Sequence, residues 1–218
     1  MSVRYRLGLF LWLGISLAWM YAFVFLLPYI EFAWLLTLCG ILLADAGSYV
    51  FHYLVDHYGQ PVPGSLVHEF QRHHLFPHGI AEKPVSEVLY PAVRVVVPAS
   101  LLMGVLLAVG WLPLALALLG FVVLSCWVLA QLFHRWAHMR PPALVRMAQD
   151  LRLLVSVREH ALHHMQPYDT RFAVITGWSN FLLDRLGAPR LLDWLMWRFG
   201  KQKRGLVRSL DEISAFES

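Results

Sequence analysis

Residues 32–56 read FAWLLTLCGILLADAGSYVFHYLVD. The first half of this stretch is almost entirely apolar, as in a helix that crosses a bilayer of about 30 Å. In the second half, Asp45, Tyr49, His52 and Asp56 recur at steps of four, three and four, which places them on one face of a helix. A charged group at membrane depth is costly and usually has a functional reason. The stretch therefore predicts a membrane helix that ends in a polar face.

Other apolar runs lie on both sides of this stretch. One run precedes it, and a long tract after it is interrupted only at residues 110–113, which makes it too long for one crossing and suitable for two. The chain is 58% hydrophobic and 15% charged, a composition that excludes a soluble domain. We therefore predict an all-α, polytopic membrane protein, a single domain over residues 1–218. Its four predicted spans are residues 7–29, 32–54, 92–110 and 113–133.

Basic residues are distributed unevenly between the predicted connections. Residues 28–32 and 110–113 contain no Lys or Arg, so all 18 basic residues belong to the opposite side. The positive-inside rule then predicts that both ends of the chain are cytosolic. Residues 55–91 and 134–218 would form a cytosolic, His-rich helical cap. With short tails and no organelle-targeting prefix, we expect a bacterial cytoplasmic membrane.

The predicted cap also contains helical patterns. Residues 144–157 are predicted to be helical, residues 171–186 are amphipathic, and residues 190–199, RLLDWLMWRF, are typical of a helix lying at the membrane interface. The net charge of +4 does not indicate nucleic-acid binding, because the basic residues are scattered and the one short run, residues 201–204, favours an anionic lipid surface. Both cysteines lie in apolar runs, so a disulfide framework is not expected.

All eleven histidines fall on the predicted cytosolic side. Several have the spacing of ligands on one helical face, with pairs at i, i+4, one adjacent pair, and a triplet at i, i+3, i+4. Imidazole is the commonest nitrogen ligand for transition metals, and the set exceeds what one ion needs, so we predict two metal ions. For each pair alone, packing or capping is an equally good explanation. The candidate ligands are His52, Asp56, His73, His74, His134, His138, His160, His163 and His164.

The remaining three histidines, His57, His68 and His78, are left out of this set, as solvated residues or residues supporting the ligands. Ligand type alone leaves the metal open, because imidazole suits zinc, iron, copper and nickel, and no cysteine lies near the site. A site at the membrane boundary suggests a lipid chain as substrate. Its unactivated C–H bonds require a strong oxidant, which two irons and dioxygen can generate.

Several motifs resemble the plasmanylethanolamine desaturase family, which includes CarF-type bacterial light-response proteins and the plant fatty acid desaturase 4 group. The resemblance covers roughly residues 41–200, and GWSN with the following LLDRLG extends it well past the histidines. The matching motifs are HYLVD at 52–56, FQRHHLFP at 70–77, HRWAH at 134–138, QD at 149–150 and HALHHMQPYDTRFAVITGWSNFLLDRLG at 160–187.

This resemblance implies a multi-pass, O2-dependent di-iron desaturase whose eight histidines and one aspartate fall on the nine candidate ligands, with no further catalytic residue. It implies that an alkyl-ether membrane phospholipid is converted to its vinyl-ether plasmalogen. Because no flavin- or nucleotide-binding glycine motif is present, electrons would come from a cytochrome b5-like or ferredoxin-like donor. The sequence departs from the family pattern at Tyr53 and Tyr58, where tryptophan is usual, and at His68 and Lys83. These changes bear on lipid recognition rather than on the ligand set.

Other functions remain open at this point. An acyl-lipid desaturase or a hydroxylase would use the same metal chemistry on a different bond. A membrane metal transporter or a haem-binding protein belongs to another class and usually needs ligating residues deep within its spans. The first and third predicted spans offer none, which favours the enzyme.

Overall fold

The structure, a computed structural model, describes residues 2–206, and residues 207–218 of the predicted cap lie outside the described residues, as does residue 1. Within residues 2–206 every regular element is helical. The four long helices are α1 (Val3–Leu26), α2 (Ala33–His57), α5 (Val85–Ala108) and α6 (Leu114–Ala137). The short helices are α3 (Leu66–Leu75), α4 (Gly79–Glu82), α7 (Ala143–Asp150), α8 (Val157–His163), α9 (Trp178–Arg185) and α10 (Ala188–Arg198).

The four long helices are long and apolar enough to cross a membrane, and a short 3-10 turn, Leu27–Tyr29, extends α1. Their outer side chains, such as Phe10, Leu17 and Val24, are apolar and exposed, as expected of surfaces that contact lipid. The predicted all-α polytopic membrane fold is therefore confirmed. The side of the membrane that each end faces stays a prediction.

The predicted boundaries differ most from the structure at two places, each by seven residues. Helix α5 begins at Val85 rather than at residue 92 and continues through Pro91 and Pro98, because membrane helices tolerate the loss of single backbone donors. Helix α7 ends at Asp150 rather than continuing to residue 157. Arg152 has φ of 57°, which a continuing right-handed helix does not allow.

The chain divides into two compact units. Unit 1 contains residues 2–45 and Lys83–Leu132, and its α1 packs against α5. One of its apolar clusters is centred on Trp19 and Phe23, whose rings stack at 5.5 Å. This unit is held together mainly by apolar contacts between long helices.

Unit 2 contains Ala46–Glu82 and residues 133–206. Its core differs because polar and aromatic side chains are fully buried together, among them Tyr49, Tyr53 and Phe172. All nine candidate ligands fall in unit 2. That the whole chain is one domain stays a prediction.

Candidate metal centre

Four segments carry the candidate ligands in unit 2, and each places them at a helix end. His52 and Asp56 lie in the last turns of α2, and His73 and His74 lie in the last turn of α3. The hydroxyl of Ser65 caps the start of α3 by accepting a hydrogen bond from the His68 N–H at 3.1 Å. This cap fixes where the helix begins.

The other ligands follow the same pattern. His134 lies in the last turn of α6, and His138 follows that helix. Helix α8 carries His160 and His163, and His164 is its C-terminal cap. Its N-terminal cap is Ser156, whose hydroxyl accepts from the Glu159 N–H at 3.1 Å.

The nine side chains form two groups, and in each group one potential ligand atom from every residue lies within 4.8 Å of the others. Ligands about 2.1 Å from a shared first-row ion would be at most roughly 4.2 Å apart, so each spread is close to that of a metal site. The five-histidine group is His73, His134, His138, His160 and His164. The aspartate group is His52, Asp56, His74 and His163.

Residues that are neighbours in sequence are divided between the two groups. His73 belongs to the five-histidine group and His74 to the aspartate group. Likewise, His160 and His164 share one group while His163 joins the other. Helices α3 and α8 therefore contribute to both groups, whereas α2 serves only the aspartate group.

In the five-histidine group, ring nitrogens face each other directly. The Nε2 atom of His138 lies 2.9 Å from that of His73 and 3.2 Å from that of His134. The Nε2 atoms of His160 and His164 are 3.2 Å apart. A neutral imidazole has one N–H and one lone pair. Five rings whose nitrogens converge are therefore best explained by lone pairs that point at a shared cation.

In the aspartate group, one carboxylate oxygen is central. Asp56 Oδ2 lies 3.1 Å from Nε2 of His74 and 3.4 Å from Nε2 of both His52 and His163. Asp56 is fully buried, and its Oδ1 has no hydrogen-bond partner among the described residues. Nε2 of His52 and of His163 are buried and, among the described residues, likewise have no hydrogen-bond partner. Unpaired buried polar atoms are costly, and a bound cation would satisfy them.

Burial keeps four histidines of the five-histidine group, all outside the spans, uncharged. It lowers the pKa of His73, His160 and His164 below the ordinary value, and neighbouring histidines lower it further. The pKa of His138 is lowered to about 3, again chiefly by burial. At neutral pH these rings are therefore neutral, the form in which imidazole binds metals.

Two ligands of the aspartate group are oriented by backbone carbonyls. Nδ1 of His52 lies 2.9 Å from the Phe172 carbonyl oxygen, and Nδ1 of His163 lies 3.1 Å from that of Thr170. Because a carbonyl only accepts, Nδ1 must carry the proton in both rings. Their Nε2 lone pairs are thereby left to face the group, an arrangement typical of metal-binding histidines.

The segment that supplies these carbonyls, residues 170–174, is held by α9. Asn180 Oδ1 accepts from the Ala173 N–H at 2.8 Å, and its amide group donates to the Ala173 carbonyl at 3.3 Å. The Asp184 carboxylate accepts from the Arg171 N–H at 3.2 Å and from the Tyr49 hydroxyl at 2.6 Å. Asn180 and Asp184 were not among the predicted site residues. The available signal was that the GWSN and LLDRLG motifs continue past the histidines.

The excluded histidines lie outside both groups. His57 and His68 are buried rather than solvated, and Nε2 of His57 donates to the Tyr168 carbonyl at 3.0 Å. Nδ1 of His78 donates to the His138 carbonyl at 3.1 Å. His57 and His78 thus support the backbone next to the centre.

The tyrosines that depart from the family pattern share one partner. The hydroxyls of Tyr53 and Tyr58 both donate to Asp193 of α10, the second at 2.7 Å. Lys203 donates to the same carboxylate at 3.0 Å and to the Tyr53 hydroxyl at 2.7 Å. This cluster fastens α10 to the end of α2.

The family model of the lipid desaturase domain matches residues 41–205, which include all nine candidate ligands. The chain belongs to the lipid desaturase domain family. The resemblance seen in the motifs is thus confirmed. No solved structure matches this lipid desaturase domain chain.

Three relatives illustrate the range of the family. Fatty acid desaturase 4, chloroplastic, of Arabidopsis thaliana is 36% identical over 157 residues, 66% of this chain and 45% of the relative. Plasmanylethanolamine desaturase of Myxococcus xanthus is 31% identical over 197 residues, 84% of this chain and 66% of the relative. Plasmanylethanolamine desaturase 1 of Mus musculus is 26% identical over 185 residues, 73% and 63% of the two chains. The chain thus spans about half to two thirds of the length of these relatives.

Proposed function

We propose that this protein is an O2-dependent, di-iron membrane lipid desaturase that converts an alkyl-ether phospholipid to its vinyl-ether plasmalogen. The observation that carries the proposal is the convergence of eight histidines and one aspartate in two neighbouring groups, in a chain of the lipid desaturase domain family. Two relatives named plasmanylethanolamine desaturase support the choice of lipid.

The ligand atoms suit iron in an oxidising centre. All are imidazole nitrogens or carboxylate oxygens, and both free cysteines lie in unit 1, outside either group. Two irons held here would supply, with dioxygen, the oxidising power that an unactivated C–H bond requires. Asp56 contributes negative charge, and the neutral histidines contribute lone pairs. Burial of six of the nine ligands limits the access of bulk water to the reacting atoms.

The overall reaction fixes the other participants. Two adjacent carbons of the lipid chain lose one hydrogen each and become doubly bonded. Dioxygen takes up these hydrogens together with two electrons and two protons, giving two molecules of water. In our proposal the electrons come from a cytochrome b5-like or ferredoxin-like donor, since the sequence contains no glycine motif for a flavin or a nucleotide.

The four candidate spans make this a membrane protein, and the substrate would reach the centre from the bilayer. We place the metal centre on the cytosolic face of a bacterial cytoplasmic membrane. The support for this placement is the absence of Lys and Arg from residues 28–32 and 110–113.

A second candidate is desaturation of an acyl chain. It is favoured by the 36% identity to the relative named fatty acid desaturase 4. Both candidates use the same metal chemistry, so they differ only in which lipid chain is oxidised, the alkyl-ether chain or the acyl chain.

The test is expression in a host that lacks plasmalogens and is supplied with alkylglycerol, with His163→Ala as the inactive control. We expect acid-labile, aldehyde-yielding lipids only with the unaltered protein. A new acyl double bond in their place would support the second candidate. Neither product, from protein that contains about two irons per chain, would overturn both. Haem absorbance or a single zinc would instead indicate a haem-binding protein or a transporter.

A further inference from the structure

A cavity of about 1220 Å³ lies in unit 2, between α7, α9 and the residues at the start of α8. Ligand-binding pockets typically measure about 300–1,000 Å³, so this one exceeds what a small inorganic anion needs. None of the nine candidate metal ligands lines it.

Arginines outnumber carboxylates in the cavity lining. Five arginines line it together with Asp150, Glu159 and Asp184, and Arg171 is paired with Glu159. Within residues 2–206, the side chains of the other four form no ion pair or hydrogen bond. The guanidinium group presents parallel N–H donors that match the oxygens of a phosphate, and several such groups in one concavity favour an anion. These four arginines are Arg146, Arg152, Arg158 and Arg185.

Apolar side chains line the same cavity. Trp178 and Phe181 of α9 contribute to the lining and are 40% and 74% exposed. Arginines beside exposed aromatic rings offer both an anion site and an apolar surface. An amphiphile with an anionic group fits this combination better than a soluble anion does.

The cavity and the metal centre share backbone segments. Arg158 precedes the ligand His160 by two residues on α8. Arg171 stands between Thr170 and Phe172, whose carbonyls orient His163 and His52. In a glycerophospholipid, the chain carbons beside the ether oxygen lie only a few bonds from the phosphate. A phosphate site for such a substrate must therefore be near the metals.

We propose that this cavity binds the phosphate-bearing head group of the phospholipid whose chain is oxidised at the metal centre. The inference rests on the proposed function and adds the site that selects a phospholipid over a neutral lipid. The arginines hold the phosphate, and the aromatic rings of α9 pack against the glycerol and the first chain carbons.

The test is calorimetric titration of the purified, metal-free full chain with a short-chain phosphatidylglycerol. The matched short-chain diacylglycerol, which lacks the phosphate, and inorganic phosphate alone serve as comparison ligands. We expect Arg158→Gln, and separately the double variant Arg146→Gln with Arg185→Gln, to bind the phospholipid about tenfold more weakly. Arg190→Gln, an exposed arginine outside the cavity, should bind it normally.

Unchanged phospholipid affinity in the folded cavity variants would overturn the proposal, and so would equal affinity for the diacylglycerol. Inorganic phosphate bound as tightly as the phospholipid would assign the cavity to a free anion. If the variants instead lose only the binding of an acidic ferredoxin, the cavity is a docking site for the electron donor. Thermal unfolding of each variant shows whether it folds. If Arg158→Gln does not fold, the double variant, whose substitutions lie on α7 and α9, still provides the test.

The binding assay needs no turnover, so it separates this inference from the proposed function. Phospholipid binding through the arginines without any desaturated product would count against the desaturase proposal alone. Product formation in living cells with unaltered binding by the cavity variants would count against the cavity alone.

Discussion

The two ligand groups are positioned by different means. Within residues 2–206, the ring nitrogens of the five-histidine group contact one another, and none bonds to a backbone carbonyl. In the aspartate group, His52 and His163 are each fixed through Nδ1 to a carbonyl of residues 170–174. The first group therefore depends on how its helices pack, and the second depends in addition on an irregular segment.

That irregular segment is itself held by polar side chains, two of which lie on α9. Asn180 and Asp184 lie one turn apart on α9 and bond to Ala173 and Arg171. Loss of either side chain should therefore weaken metal binding in the aspartate group more than in the five-histidine group. We therefore expect that the metal of the aspartate group can be lost while that of the five-histidine group is kept.

The largest effect is expected from Asp56→Asn, which preserves shape and removes the negative charge of the aspartate group. Without this carboxylate the group loses its ion, so activity should fall by at least about 100-fold and iron from two to about one per chain. Elemental analysis and lipid profiling measure the two quantities. The matched variant is His164→Ala, which should deplete only the five-histidine group. Loss of both irons in either variant would contradict separate positioning.

Asn180→Ala should have the next largest effect. It leaves the buried N–H and carbonyl of Ala173 without their partners, which costs roughly 1–3 kcal/mol of folding free energy. The carbonyls of Thr170 and Phe172 should then be displaced, which should weaken metal binding in the aspartate group by about 10- to 100-fold. Metal titration of the apoprotein would show one weakened site and one normal site. Asn180→Asp, which retains an acceptor for the Ala173 N–H, should be milder, and two equally weakened sites would refute the mechanism.

Tyr49→Phe tests the same support one step further from the metals. The variant keeps the edge-to-face contact of the ring with Phe172 but removes the hydrogen bond to Asp184. We expect about 1 kcal/mol lower stability and only a few-fold weaker metal binding in the aspartate group. If Tyr49→Phe lost more metal than Asn180→Ala, Tyr49 would matter more than Asn180 for metal binding in the aspartate group, contrary to our expectation.

The smallest effect is expected from Asp193→Asn, which lies outside the support for either group. Burial alone would raise the pKa of Asp193, but hydrogen bonds from Tyr53, Tyr58 and Lys203 lower it. A lowered pKa stabilises the fold above the unfolded value, near pH 4, and this contribution is lost as pH falls through the folded value.

The variant should therefore be less stable by under about 1 kcal/mol at neutral pH and should approach the unaltered protein in acid. Denaturant titrations at neutral and acidic pH measure the difference. Iron content should stay at the level of the unaltered protein. A change in iron content would show that the α10 cluster also acts on the metal centre.

Much of this architecture could be predicted from the sequence. The apolar runs indicate the spans because a bilayer imposes length and hydropathy on any helix that crosses it. The sequence predicts all nine side chains that converge, since helical spacing and position along the spans restrict where a histidine can project. Their role as metal ligands stays a proposal.

What could not be predicted was the division of the ligands and the means of holding them. Whether His163 joins His160 or His52 depends on the orientation of α8 against α2, which periodicity does not report. The carbonyls of Thr170 and Phe172 belong to the backbone, so no residue type reveals them. Asn180 was visible in a motif, but its role depends on a contact seven residues away, with Ala173.

The distribution of ligands along the chain sets the order in which the protein can be made. The aspartate group needs His163, and the five-histidine group needs His160 and His164, all of which follow the last span at Ala137. Because a chain leaves the ribosome from its amino end, all four spans are synthesised before either group has its complete set of ligands. On the proposed function, metal loading of either group therefore follows synthesis of all four spans, and a chain truncated before residue 160 would lack ligands of both groups.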